Sequence, residues 1–289
     1  MIKLGRLPVR VYISADMEGV TGLVDADDVQ PGGRDYERGR LMMAEDVNAA
    51  VRGALAAGAT DITVNDAHGP MRNLRPETLH PAARLIRGRP KNMGMLEGLV
   101  PDHDALVCVG YHSRAGALGV LSHSFMGHEI EDMWLDGRPV GEIGLAHATA
   151  AAVGVPMVVL TGDDAACAET AEWDAAVTTV AVKYARDRFA ADLRPVEEAR
   201  TAIEEAVAAG LAVLDLVRAG MRGPIRQRSL LRTVLCSPAV EWSARSVLVP
   251  SGLPTAGARG LTARWRRRGR PGGRRCAARR RRGCRLRRP

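Results

Sequence analysis

The sequence predicts an α/β fold, a largely parallel sheet flanked by helices. Two observations carry that reading. Short apolar runs of strand length recur along the chain at Val9–Ala15 (VRVYISA), Asp61–Asn65 (DITVN) and Ala105–Gly110 (ALVCVG), and each is bounded by polar or Gly-containing segments. Longer stretches with apolar residues at helical spacing fall between and after them, and strands alternating with helices build βαβ units and hence parallel sheets.

Taken in order, Val9–Ala15 is the first strand, and the Asp-, Pro- and Gly-rich stretch 25–34 is a loop. Tyr36–Ala57 carries Leu41, Val47, Val51 and Leu55 at helical spacing, with Gly58 as a stop signal. Asp61–Asn65 is the second strand, Ala83–Ile86 a short one, and Ala105–Gly110 the next clear one. Met133–Leu135 reads as a strand closed by the turn Asp136-Gly137. Gly141–Val153 reads as a helix, Pro156–Leu160 as a strand, Asp164–Ala171 as a short helix and Val177–Val182 as a strand. Pro195–Arg218, rich in Ala, Glu and Leu, is a long helix.

The expected organisation is an α/β domain over 1–221, a divergent segment over 222–263 and an Arg-rich tail over 264–289. The net charge of +8 belongs to that tail, which holds 14 arginines and no acids. The rest of the chain has 27 basic residues against 33 acidic ones, so it is about −6. A segment of such composition cannot build a core and is expected to be disordered. Its sequence also resembles a GC-rich reading frame out of register, which ranks ahead of an RNA-binding arm. Five cysteines without a CxxC pair argue against a disulfide framework or a cysteine zinc site, and Cys108, inside a strand, reads as a core residue. No apolar run approaches the ~18 residues of a membrane span, and MIKLGRLPVRVYI shows no long apolar stretch followed by a small-residue cleavage site. A cytoplasmic protein is expected.

Three strands end in metal-ligand residue types: the first in Asp16 and Glu18, the second in His68, the third in His112. In a parallel sheet these ends share one edge. Two carboxylates packed together cost free energy unless a proton or cation offsets them. Glu142, at the start of a predicted helix, is a fifth candidate, although an acid there also suits the helix dipole. His, Asp and Glu together favour zinc over calcium or magnesium. Five ligands exceed what one tetrahedral ion needs, and suit a pair of ions about 3.5–4 Å apart sharing a carboxylate. His80 and His147 read as structural, and His128 and Glu129 as surface residues, since HEIED lacks the second His of a zincin motif. Asp66 either orients a ligand imidazole or caps a turn, and Arg114 is a weak candidate for a substrate contact.

The motifs SADMEGVTG, YERGRLMMAEDVNAA, VNDAHG, GYHSRAG, GVLSHS and GRPVGEIGLA, in this order and spacing over roughly residues 9–185, resemble the M55 metallopeptidases, the D-aminopeptidase family. The resemblance implies a dizinc, D-stereospecific aminopeptidase acting on short D-amino-acid-containing peptides and assembled as a ring-shaped homodecamer. By matching motif it implies metal ligation by Asp16, Glu18, His68, His112 and Glu142, with Asp16 as the bridge, and a catalytic role for His123, sometimes called the family's nucleophile. On physical grounds His123 is at least as well suited to act as general base or to steady the tetrahedral intermediate. The C-terminus departs from the family, apart from an echo in Pro238–Trp242. Other readings are a metal-dependent amidase or phosphoester hydrolase, and a nucleic-acid-binding protein acting through the tail.

Overall fold

The computed structural model describes residues 9–125, 130, 132–220 and 240–243. The tail, most of the divergent segment, and His128 and Glu129 lie outside the described residues. Ten strands are seen: β1 (Val9–Ala15), β2 (Ala59–Asp66), β3 (Ala83–Ile86), β4 (Ala105–Tyr111), β5 (Asp132–Leu135), β6 (Arg138–Pro139), β7 (Met157–Asp163), β8 (Thr178–Asp187), β9 (Ala190–Leu193) and β10 (Val240–Ser243). The helices are α1 (Ala26–Val29), α2 (Tyr36–Ala56), α3 (Glu142–Ala152), α4 (Asp164–Trp173) and α5 (Val196–Gly220).

Seven strands form the main sheet in the order β3-β2-β1-β4-β7-β8-β9. Every neighbouring pair is parallel except β8–β9, so the expected parallel α/β sheet is present, closed by one antiparallel edge strand. Alternation along β1 splits the core into two faces. Val11, Ile13 and Ala15 face one cluster with α2 and α5, which supply Val47, Val51, Ile203 and Val207. Tyr12 joins the other cluster, where Leu106, Cys108 and Leu160 meet Ile143, Ala146 and Ala150 of α3. Cys108 is a core residue, as its apolar run predicts.

The chain turns outward from β1 in both directions, to β2 and β3 on one side and to β4 and β7 on the other. Ligands in open α/β sheets bind beyond the strand C-termini at such a switch point. The ends of β1 and β4 press together there. Gly19 N–H donates to the Gly110 carbonyl at 2.8 Å, and a Cβ on Gly19 would stand 1.9 Å from the Tyr111 carbonyl oxygen. Gly110 has φ +72°, and a Cβ on it would stand 2.4 Å from the Asp16 carbonyl oxygen. Only glycine fits at this crossing.

A separate three-stranded sheet, β10-β5-β6, leads into α3. Of the echo at Pro238–Trp242, Pro238 and Ala239 lie outside the described residues, and residues 240–242 fall on β10, which pairs antiparallel with β5 over Val240–Ser243. The strands run longer than their apolar cores suggest: β2 reaches Asp66, β7 Asp163 and β8 Asp187. Within the loop 25–34, Asp25 and Asp28 form a capping box that starts the short helix α1.

Candidate metal centre

All six residues singled out in the sequence meet at the C-terminal edge of β1, β2 and β4. Asp16, Glu18, His68, His112 and Glu142 are buried, and His123 is nearly so. Asp16 and Glu18 follow β1, His68 follows β2, and His112 follows β4. Glu142 opens α3, and His123 comes from the loop after His112. Three overlapping groups form: Asp16 with Glu18 and His68; Asp16 with His112 and Glu142; and Glu18 with His112 and His123. In each group the ligand atoms lie within 4.8 Å of one another.

The three imidazoles are oriented in the same way. His68 Nε2 faces the Val29 carbonyl at 2.9 Å, His112 Nδ1 the Ser113 carbonyl at 2.9 Å, and His123 Nδ1 the Leu121 carbonyl at 3.0 Å. A carbonyl only accepts, so these nitrogens carry the protons, and each ring turns its other nitrogen towards carboxylates. His68 Nδ1 lies 3.1 Å from Asp16 Oδ1 and 3.0 Å from Glu18 Oε2. His112 Nε2 lies 3.2 Å from Glu142 Oε2 and 3.7 Å from Asp16 Oδ2. Nε2 of His123 lies 3.7 Å from Glu142 Oε1, and its ring stacks on His112 with centroids 4.1 Å apart. An N–H fixed by a carbonyl while the second nitrogen joins acidic oxygens is the arrangement of metal-ligating histidines.

A nitrogen lone pair aimed at two carboxylates is repulsive unless a proton or cation lies between them. Burial and the Glu18 charge push the Asp16 carboxyl well above the usual carboxylate range. Burial also works to raise Glu18, yet the charge and hydrogen bond of His68 hold it well below that range. Burial works to lower His68, but the Glu18 charge and the contacts with Asp16 and Glu18 hold it well above an ordinary histidine. His112, likewise opposed by burial, is lifted to about 10 by Glu142. Burial and the His112 charge lower His123. The cluster therefore draws positive charge onto the positions between its carboxylates. Asp16 Oδ2 and His112 Nε2 are buried without a hydrogen-bond partner. These orphaned atoms and the His/carboxylate donor set fit zinc.

The surrounding elements hold the cluster rigidly. Asp66 accepts from Asn73 Nδ2 at 2.8 Å and from Leu74 N–H at 2.7 Å. Of its two readings it is therefore the turn cap, and the Val29 carbonyl orients the His68 ring. Two acids, Asp163 at the N-cap of α4 and Glu169 within it, anchor the loop between His112 and His123. Glu169 accepts from Arg114 N–H at 2.7 Å. Asp163 accepts from Val120 N–H at 2.6 Å while capping α4 at Ala166. Lys183 donates from Nζ to the carbonyls of Glu18, Val20 and Leu23. Sequence reading missed Asp163, Glu169 and Lys183, because each acts on backbone atoms and none belongs to a local motif. His147 lies 3.5 Å from Asp174, and His80 Nδ1 accepts from Ala82 N–H. Neither belongs to a ligand group.

A buried cluster of imidazoles and carboxylates at the switch point of a parallel sheet is the build of a metallohydrolase. A family model described as Peptidase_M55, D-aminopeptidase, matches residues 9–231. The D-aminopeptidase of Bacillus subtilis (strain 168) is 40% identical over 210 residues, covering 73% of this chain and 76% of that protein. The solved structure of the Zn-dependent D-aminopeptidase DppA from Bacillus subtilis, described as a self-compartmentalizing protease, is similar with a TM-score of 0.70. It is 40% identical, over 72% of this chain and 75% of the other. The chain belongs to the M55 D-aminopeptidase family, whose members are metallo-aminopeptidase hydrolases. Among the described residues, no helix is long and apolar enough to cross a membrane.

Proposed function

We propose that this chain is a dizinc aminopeptidase that releases N-terminal D-amino acids, such as D-Ala, from short peptides. One observation carries the two-ion reading: Asp16 divides its oxygens. Its Oδ1 faces His68 beside Glu18, and its Oδ2 faces His112 beside Glu142. Asp16 would bridge, Glu18 and His68 would complete one site, and His112 and Glu142 the other. When bound, zinc supplies a Lewis acid for the scissile carbonyl and lowers the pKa of water.

The chain's own residues supply the rest. Burial lowers the His123 pKa, which favours the neutral ring, and Nε2 would accept the proton of the attacking water. The same nitrogen returns that proton to the departing amine. Leu121, through its carbonyl, fixes the other ring proton and makes Nε2 the working nitrogen.

The D-preference, the use of zinc and a self-compartmentalizing assembly are properties named for the Bacillus relative, and we extend them to this chain as a cytoplasmic homo-oligomer, a decameric ring by family resemblance. Turnover of D-Ala-D-Ala and L-Ala-L-Ala by the zinc-loaded protein tests the reading. Selective release of D-Ala supports it, and equal or zero turnover of both refutes it. Light scattering tests the assembly against the chain mass of 31.0 kDa.

A further inference from the structure

Lys183 is the one lysine or arginine that is fully buried among the described residues. Its Nζ donates to the carbonyls of Glu18 at 2.7 Å, Val20 at 2.9 Å and Leu23 at 2.5 Å. An ammonium has three protons, and here each has an acceptor. The residue is delivered by a register shift between β7 and β8. Gly162 pairs with Ala181, but Asp163 pairs with Lys183 and not with Val182. The choice of cation is also chemically specific. Only three of the chain's 41 basic residues are lysines, namely Lys3, Lys91 and Lys183. A compact ammonium fits three converging carbonyls where a planar guanidinium does not.

The three acceptors lie along the loop after β1, which carries Glu18. Its other ties run through its own N–H groups: Val20 to Met17, Leu23 to Val20 and Gly19 to the Gly110 carbonyl at 2.8 Å, Thr21 to Asp46 Oδ2 at 2.9 Å and Val24 to Asp28 Oδ2 at 2.8 Å; the side chain that gathers its carbonyls is Lys183. His112 and Glu142 come from β4 and α3 and make no hydrogen bond to Lys183.

We propose that Lys183 is a positioning residue that pins the Glu18 loop and thereby completes the zinc site formed by Asp16, Glu18 and His68. The inference rests on the two-ion reading above. Its consequence is asymmetric: without Lys183 the half-site of Glu18 loosens, while that of His112 and Glu142 stays intact. A purely structural lysine would lower thermal stability without changing which half-site is lost.

The test is zinc titration of the metal-stripped full chain by calorimetry, with elemental analysis after dialysis, for wild type, K183M and K183Q. Wild type is expected to hold two zinc ions. K183M is expected to hold one at unchanged affinity and to bind the second about 10–100-fold more weakly, with K183Q between them. A folded K183M that binds both ions as wild type does overturns the proposal. A measurement on wild type covers the case in which the variants do not fold. By reciprocity of coupling, zinc must tighten the clamp if the clamp favours zinc. Acetylation of Lys183, followed by mass spectrometry, is expected to slow at least about ten-fold on zinc loading, and an unchanged rate overturns the proposal. A wild-type chain that takes up fewer than two zinc ions refutes the two-ion reading instead.

Discussion

Replacing Asp16 with Asn keeps the shape of the shared ligand and removes its charge, so its effect on stability should change sign with metal. In the metal-stripped protein Asp16 is buried beside Glu18 and Glu142, with ligand oxygens no more than 4.8 Å apart in each group. Two ionised carboxylates at that separation would repel by about 3 kcal/mol at an effective dielectric of ~20, a cost that the raised Asp16 carboxyl relieves in part by holding a proton. The positive charge drawn onto His68 and His112 offsets part of this. The substitution is therefore expected to stabilise the stripped protein by about 1–2 kcal/mol. In the zinc-loaded protein the shared carboxylate is lost: one half-site would meet an NH2 group and the other would keep only a neutral amide oxygen. A 100-fold loss of affinity removes about 2.7 kcal/mol of ligand-linked stability. For a domain of this size each kcal/mol moves Tm by roughly 2–4 °C. Differential scanning fluorimetry of both proteins, with excess zinc and after chelation, reads the two effects. The reasoning is refuted if D16N destabilises the stripped protein, or if zinc raises the Tm of D16N as much as that of wild type.

Three further outcomes follow from the same geometry. His123→Ala should lower kcat about 10²–10⁴-fold while leaving zinc content unchanged, and loss of a metal ion together with activity would make His123 a ligand. The raised His68 and His112 contribute stability to the stripped protein that is fully present below pH ~6.5 and lost as pH rises through their folded-state values, about 10 for His112. Chemical denaturation of that protein should show stability falling from pH ~6.5 to 10, and zinc binding near pH 7 should release protons in calorimetry across buffers; a flat pH profile contradicts this. Gly19→Ala should cost more than about 3 kcal/mol or abolish folding, because its Cβ would stand 1.9 Å from the Tyr111 carbonyl; denaturation within ~1 kcal/mol of wild type would contradict the crossing.

The central parallel strands were legible because burial on both faces leaves continuous apolar runs, as in VRVYISA and ALVCVG. The edge was not. β9, Ala190–Leu193, is short, antiparallel and mostly exposed, and so has no apolar signal. The second half of β8 pairs with it over Lys183–Asp187 and is equally silent. β10 is far in sequence from its partner β5, and nothing local announces such a pairing. Within the site, Asp16, Glu18, His68 and His112 follow from strand ends and a parallel sheet. Glu142 was a candidate at a helix start, which fixes no direction, and His123, in a loop, needed the family motif. Lys183 was hidden by its own strand: period-two alternation opposes it to Val182, and only the register shift with β7 turns both inward.

Anomalous diffraction from zinc-loaded crystals tests the central claim most directly. Two peaks about 3.5–4 Å apart, one beside Glu18 and His68, the other beside His112 and Glu142, with Asp16 between them, are the predicted result. A single peak, or a second one away from Asp16, would contradict the two-ion site.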